Sequence, residues 1–251
     1  MGFPGGRALI FLYTDFGLRG PYIGQLQAAI YRYSPDARVV NLIADAPAFD
    51  PKAAAYLLAA CVHEFDGNPV FLCVVDPGVG MAERAPVVVR ADDQVFVGPD
   101  NGLFDVVAKH ARTQAEKYRI VWRPPRLSAS FHGRDLFAPV AALLDASRLP
   151  DEWLAASEPM ACHNVDADVD EIIYLDDFGN AMTGRRAAFV GDAATLVIQG
   201  CVLERRRTFG DVAEGEAFWY ENSSGLVEIA VNRGSAARTL GLRIGQPFLW
   251  R

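Results

Sequence analysis

Cysteine is scarce in this chain and widely spaced. The four residues Cys61, Cys73, Cys162 and Cys201 form no C-x-x-C pair, and the one histidine beside any of them is His163. Zinc ligation and disulfide frameworks show closer or more regular spacing, so the sulfurs are expected as buried free thiols and no metal centre is expected. Long apolar runs are missing too, since no stretch approaches the roughly twenty apolar residues that cross a bilayer. The opening Met1-Gly2-Phe3-Pro4-Gly5-Gly6-Arg7 lacks the apolar block of a signal peptide, so a cytosolic protein with no membrane partner is expected. Positive charge is the third shortage. Asp and Glu outnumber Lys and Arg by 31 to 24, a net charge of -7, and the one basic run, Arg205-Arg206-Arg207, directly follows Glu204. Nucleic-acid binders concentrate Lys and Arg on one surface, so no nucleic-acid partner is expected. The fragments Asp15-Phe16-Gly17, Asp177-Phe178-Gly179 and His132-Gly133-Arg134-Asp135 imitate kinase motifs. No glycine-rich loop, strand lysine or catalytic-loop asparagine accompanies them, which argues against a kinase. Asn222-Ser223-Ser224 fits a glycosylation sequon, with nothing else to indicate secretion.

What is present is enough apolar residue for a full core: 51% of 251 residues, which suits one large domain or one medium and one small. Strand-like and helix-like runs alternate through the first two-thirds. Ala8 to Tyr13, Arg38 to Ile43, Pro69 to Val75, Pro86 to Arg90, Gln94 to Val97 and Tyr118 to Trp122 read as strands. Pro21 to Tyr33, Pro51 to His63 and a stretch after Asn101 read as helices. Such alternation predicts an α/β domain with a mostly parallel sheet flanked by helices. After Asp166-Ala167-Asp168-Val169-Asp170 the runs become short and β-rich, separated by Gly and Asn, which predicts a small barrel or sandwich. The domains are therefore expected as 1–165 and 166–251.

Two segments read as halves of one active site. The apolar run Pro69 to Val75 ends in Asp76-Pro77-Gly78-Val79-Gly80, a buried strand delivering a carboxylate to its C-terminal end, where open α/β sheets place ligands. Ser130-Phe131-His132-Gly133 puts a histidine on a loop before the apolar helical stretch of Leu136, Phe137, Val140, Leu143 and Leu144. Arg134 and Asp135 read as a structural pair or a helix cap.

Six ordered blocks carry a family resemblance: Tyr13-Thr14-Asp15-Phe16-Gly17, Asp76-Pro77-Gly78-Val79-Gly80, Gly98-Pro99-Asp100-Asn101-Gly102, Phe131-His132-Gly133-Arg134-Asp135, Asp176-Asp177-Phe178-Gly179-Asn180 and Asn222-Ser223-Ser224-Gly225. In this order they closely resemble the S-adenosyl-L-methionine hydroxide adenosyltransferases, hydrolytic relatives of fluorinase and chlorinase. The resemblance implies an N-terminal α/β domain, a smaller C-terminal β-barrel domain, a homotrimer with the ligand at a subunit interface, no metal and no cofactor, S-adenosyl-L-methionine (SAM) being the substrate. It implies attack of water or hydroxide on ribose C5′, releasing adenosine and L-methionine, with catalytic residues Asp76, Arg84 and His132. Asp15, Phe49, Phe131 and Gly133 match positions around the ribose and sulfonium. Asp176 and Asn180 match those binding the methionine amino group and the adenine edge, Ser223 and Ser224 match further ligand contacts, and Arg233 and Ala236 lie in a segment resembling an adenine site.

The chain departs from the family pattern twice. The family arginine sits one residue nearer the aspartate, where this chain has Glu83, and the acid that usually closes the first loop is replaced by Gly20. A non-catalytic nucleoside-binding protein and a halide-using enzyme of the same fold are the alternatives. The ionisable Asp76 and His132 disfavour the second, because halogenases replace them to build a dry halide pocket.

Overall fold

The computed structural model describes residues 9–81, 84–156, 159–160, 162 and 164–251. The chain forms two compact units, Met1–Ala55 with Phe65–Val165, and Tyr56–Glu64 with Asp166–Arg251.

The first unit is built on a seven-stranded sheet in the order β2-β1-β3-β5-β4-β6-β7. Its strands are β1 (Leu9–Thr14), β2 (Arg38–Ile43), β3 (Val70–Val74), β4 (Pro86–Ala91), β5 (Gln94–Pro99), β6 (Glu116–Ile120) and β7 (Leu154–Ala156). Strands β2, β1, β3 and β5 pair in parallel, whereas β4 runs against both β5 and β6, and β7 against β6. The sheet is thus mostly parallel, with antiparallel pairing confined to one side. Each residue of β3 is buried, as a central parallel strand covered on both faces requires.

Helix α1 (Tyr22–Tyr33) buries Leu26, Ala29 and Ile30, a spacing that places all three on one face. Helix α4 (Ala138–Asp145) buries seven of its eight residues and, being apolar all round, lies inside the core with α1 and the β1 and β3 side chains. Helices α2 (Pro51–Cys61) and α3 (Asp105–His110) complete the set of this half of the chain.

The second unit holds two antiparallel sheets. One has the order β12-β13-β9-β8, from β8 (Ile172–Leu175), β9 (Ala181–Arg186), β12 (Ala217–Glu221) and β13 (Leu226–Val231). The other has the order β11-β10-β14, from β10 (Leu196–Ile198), β11 (Cys201–Leu203) and β14 (Leu249–Trp250). A short helix, α5 (Ala236–Thr239), is capped by the Ser235 hydroxyl, which accepts from the Arg238 N–H. Ile172, Ala181, Trp219, Val227 and Ile229 form the core on one side of the four-stranded sheet. The acidic stretch that separates the two sequence patterns is held in place: Arg186 donates to Asp168 at 2.8 Å, and Arg185 and the Trp250 indole N–H donate to Asp170 at 2.7 and 3.0 Å.

All four cysteines are free, but only Cys73 is fully buried; Cys61, Cys162 and Cys201 are half-buried, which corrects the expectation of uniformly buried thiols. Burial pushes the Cys61 thiol up to about 11. Among the described residues, no helix is long and apolar enough to cross a membrane, and no group of three or more His, Cys, Asp or Glu is arranged to hold a metal ion.

Candidate active site

The chain leaves β1 for β2 on one side and returns to β3 on the other, so β1 and β3 flank a topological switch point. Thr14 pairs with Val74 at the ends of these two parallel strands, and the Asp15 N–H donates to the Val74 carbonyl at 3.4 Å. Asp15 and Asp76 therefore emerge side by side at the carboxyl edge of the sheet. Asp15 accepts the Phe49 N–H at 3.2 Å. Its carboxyl lies above the usual value, first through burial, with the Asp76 charge adding to the effect. Asp76 accepts the Gly78 N–H at 3.1 Å. Burial raises its pKa as well, against the Gly78 hydrogen bond and the charges of Arg84 and His132.

Glycines bring the loops together. A Cβ on Gly78 would lie 2.7 Å from Arg84 Nε, so the arginine stem crosses directly over this residue. Gly80, at φ +85°, has its Cα against the carbonyl of Ala129, which a Cβ would approach to 2.6 Å. Gly133 is packed against Phe131, Leu26 and Val74, a Cβ there meeting them at 3.3 to 3.4 Å. The Asp76 loop thus touches the segment leading into His132, and Gly133 packs on Val74 at the end of β3. Directly after His132 the backbone makes a single π-helical turn, Gly133–Phe137, a feature that recurs at functional sites.

His132 is half-buried, and burial lowers its pKa below the ordinary histidine value; Asp76 and Asp135 oppose that shift and Arg123 reinforces it. Asp135 accepts two hydrogen bonds from the Arg134 guanidinium, at 2.6 and 2.9 Å, and the Ser128 N–H at 2.8 Å. The same guanidinium stands 5.1 Å from the Phe131 ring centre and donates to Gln25 at 3.2 Å. Phe131 packs edge-on against Phe16 and Tyr22. Reading these two residues as a structural pair agrees with this geometry.

Asn101 and Arg123 were not singled out from sequence. The Asn101 amide donates to the Val75 carbonyl at 2.8 Å and so fixes the peptide before Asp76. It stands within one of the six motif blocks, which was its signal; Arg123 had none. Phe49 adopts φ +60° and is 77% exposed, so its ring is not packed into the first unit. Gly20 is exposed beside Tyr22, and Glu83 lies outside the described residues.

In the second unit, Asp176 and Asn180 close the β8–β9 hairpin. Asp176 accepts the Asn180 N–H at 2.8 Å and the Asn180 side-chain amide at 2.9 Å. Gly179, at φ +86°, abuts Ser235, and its carbonyl accepts the Ala237 N–H at 2.8 Å, so the hairpin tip rests on the start of α5 beside buried Ala236. Arg233 is exposed and pairs with Glu214 at 3.1 Å. Ser223 and Ser224 sit in a turn held by Asn222, whose side-chain oxygen accepts the Ser224 and Leu226 N–H groups, both at 3.0 Å.

Comparison with known proteins agrees with both halves. Residues 10–153 match the family model for the SAM hydroxide adenosyltransferase N-terminal domain, and residues 170–249 match that for its C-terminal domain. An (R)-S-adenosyl-L-methionine hydrolase from Thermus thermophilus is 37% identical over 95% of this chain and 97% of its own. One from Salinispora tropica is 35% identical over 92% and 93%. Among solved structures, an uncharacterized conserved protein from Thermotoga maritima superposes with a TM-score of 0.84 at 31% identity, covering 96% of this chain and 98% of that one. With both family models matched in order across nearly its whole length, the chain belongs to the SAM hydroxide adenosyltransferase family.

Proposed function

We propose that this chain hydrolyses SAM to adenosine and L-methionine. The carrying observation is a half-buried histidine whose flanking residues pack against the Asp76 loop and the end of β3, at the switch point of the sheet. The function printed for the relatives points the same way.

A sulfonium leaves as a neutral thioether, so the reaction needs no general acid; the difficulty is to present an oxygen nucleophile in line with the C5′–S bond. Water gives a proton to His132 while its oxygen forms the bond to C5′ and the C5′–S electron pair returns to sulfur. His132 suits this role because burial favours its neutral form. Asp76 balances the imidazolium, and Arg84 lends positive charge to the incipient hydroxide. Asp15, Phe49, Phe131 and Gly133 are assigned to the ribose and sulfonium, Asp176 and Asn180 to the methionine ammonium and the adenine edge, and Ser223, Ser224, Arg233 and Ala236 to further ligand contacts. No resident cofactor enters these steps.

Two structural elements belong to the same reading. The sheets of the second unit close into a barrel, supported by single bridges Arg205 to Trp219 and Glu171 to Pro247 at their two seams. The active form is a homotrimer with the substrate at a subunit interface.

The test is product analysis with SAM, with and without chloride. Equimolar adenosine and methionine, independent of chloride, is the expected result. A 5′-chloro nucleoside would mark a halide-using enzyme, and adenosine binding without turnover would mark a nucleoside-binding protein.

A further inference from the structure

One carboxylate in the second unit is left unused by the mechanism above. Glu228, in the middle of β13, is 2% exposed. Neighbours in the register place it: Glu228 lies opposite Tyr220 on β12 and opposite Met182 on β9, and Met182 lies opposite Tyr174 on β8. Strand residues alternate between faces, so Glu228 shares its face with Tyr220, Asn222, Met182, Tyr174 and the Asp176–Asn180 hairpin end, while Ile229, Ala181, Val227 and Trp219 turn to the apolar core. The same face also carries buried Phe218, Leu226 and Ala230, so Glu228 and its partners form a polar cluster set among apolar residues.

Both oxygens of Glu228 act as acceptors. The Tyr220 hydroxyl donates to Oε1 at 2.5 Å and the Asn222 side-chain amide donates to Oε2 at 2.8 Å. Two donors of this kind favour the ionised carboxylate, against the burial that favours the neutral one. Among the described residues no ion pair reaches it; burial raises its pKa, the two hydrogen bonds oppose that shift, and the charge of Asp176 adds to it. A buried carboxylate without a cationic partner is costly, and half-buried Asp176 at the hairpin end adds a second negative charge to the same face.

We infer that Glu228 is a specificity-determining charge: with Asp176 it sets the field of this sheet face for a positively charged ligand, while its two hydrogen bonds position the Asn222 turn. The inference rests on the hydrolase reading and deepens it. SAM carries a sulfonium and an ammonium against one carboxylate, adenosine carries no charge, and methionine has no net charge. A fixed anionic field therefore holds the substrate more tightly than either product, favouring release after the C5′–S bond breaks.

Glu228→Gln tests the charge alone. The glutamine oxygen still accepts from Asn222 and its amide still donates to the Tyr220 oxygen, so both contacts survive in the neutral form. Calorimetry in a His132→Ala background, where SAM persists, compares SAM with adenosine. The expected result is SAM binding weakened about tenfold, some 1.4 kcal/mol, with adenosine changed less than twofold. In the otherwise wild-type enzyme, KM for SAM rises while kcat changes much less. Equal weakening of both ligands would make Glu228 a purely structural residue and overturn the inference, as would unchanged SAM binding in a wild type that hydrolyses SAM. Selective weakening of SAM in a protein that hydrolyses nothing would sink the hydrolase reading and leave the charge role standing.

Discussion

At the scale of single residues, the proposed mechanism turns on the proton affinity of His132. To accept a proton from water the imidazole must start neutral, so activity falls as the pH drops through its pKa. Burial has moved that pKa below the ordinary 6.5. The acid limb of kcat/KM is therefore expected below 6.5, with a plateau at neutral pH; a limb above pH 7 would contradict the assignment. Asp76 is the largest influence opposing this shift. Asp76→Asn should therefore carry the limb to still lower pH while reducing the plateau, and a move towards higher pH would show that Asp76 does not face the histidine. His132→Ala should lower kcat by about a hundredfold or more while adenosine affinity barely changes, as for a group acting on the transition state. Parallel loss of both would place the residue in binding.

At the scale of elements, the site depends on two loops held in contact by glycine. Gly80→Ala puts a methyl group against the Ala129 carbonyl, in a backbone region that L residues rarely adopt. A loss of about 1–3 kcal/mol in denaturant unfolding is expected, with kcat reduced, because the Asp76 loop must shift away from His132. Unchanged activity would mean that the contact does not align the pair. Glu228 makes a second prediction here. Its folded-state pKa is raised above 4.5, so its stabilisation is fully present below that value and is lost as pH rises through the folded-state pKa. Glu228→Gln should accordingly gain stability relative to wild type as pH rises from acid to neutral, and a gain confined to acid pH would contradict the sign.

Much of this was legible. The apolar run into Asp76 reads directly as a buried strand, whereas His132, read as a loop group, has helical backbone as the cap of the π turn. The antiparallel direction of β4 was not legible, because an apolar strand buries the same surface whichever way it runs, and the three-residue β7 was not read as a strand at all. Strand β9 was hidden by its Thr, Gly and Arg residues, whose arginines are matched by Asp168 and Asp170 far upstream in sequence. Glu228 was concealed inside an apolar run, since only the register shows which face it occupies.

At the scale of the whole molecule, a chain of net charge -7 meets a substrate of net charge +1. Attraction of this kind is screened over about 8 Å at physiological salt, so added potassium chloride should lower kcat/KM through KM while leaving kcat nearly constant. A rate that rises with salt would contradict electrostatic attraction. Light scattering is expected to give three chains per particle, and a fully active monomer would remove the interfacial site from the proposal. The central claim is water attack at C5′ with His132 as base. It is tested most directly by incubating the protein with SAM in heavy-oxygen water without chloride and weighing the nucleoside by mass spectrometry, beside His132→Ala. The account predicts adenosine carrying one heavy oxygen at the 5′ position from the wild type and almost none from the variant. Unlabelled adenosine, or equal labelled product from the variant, would contradict it.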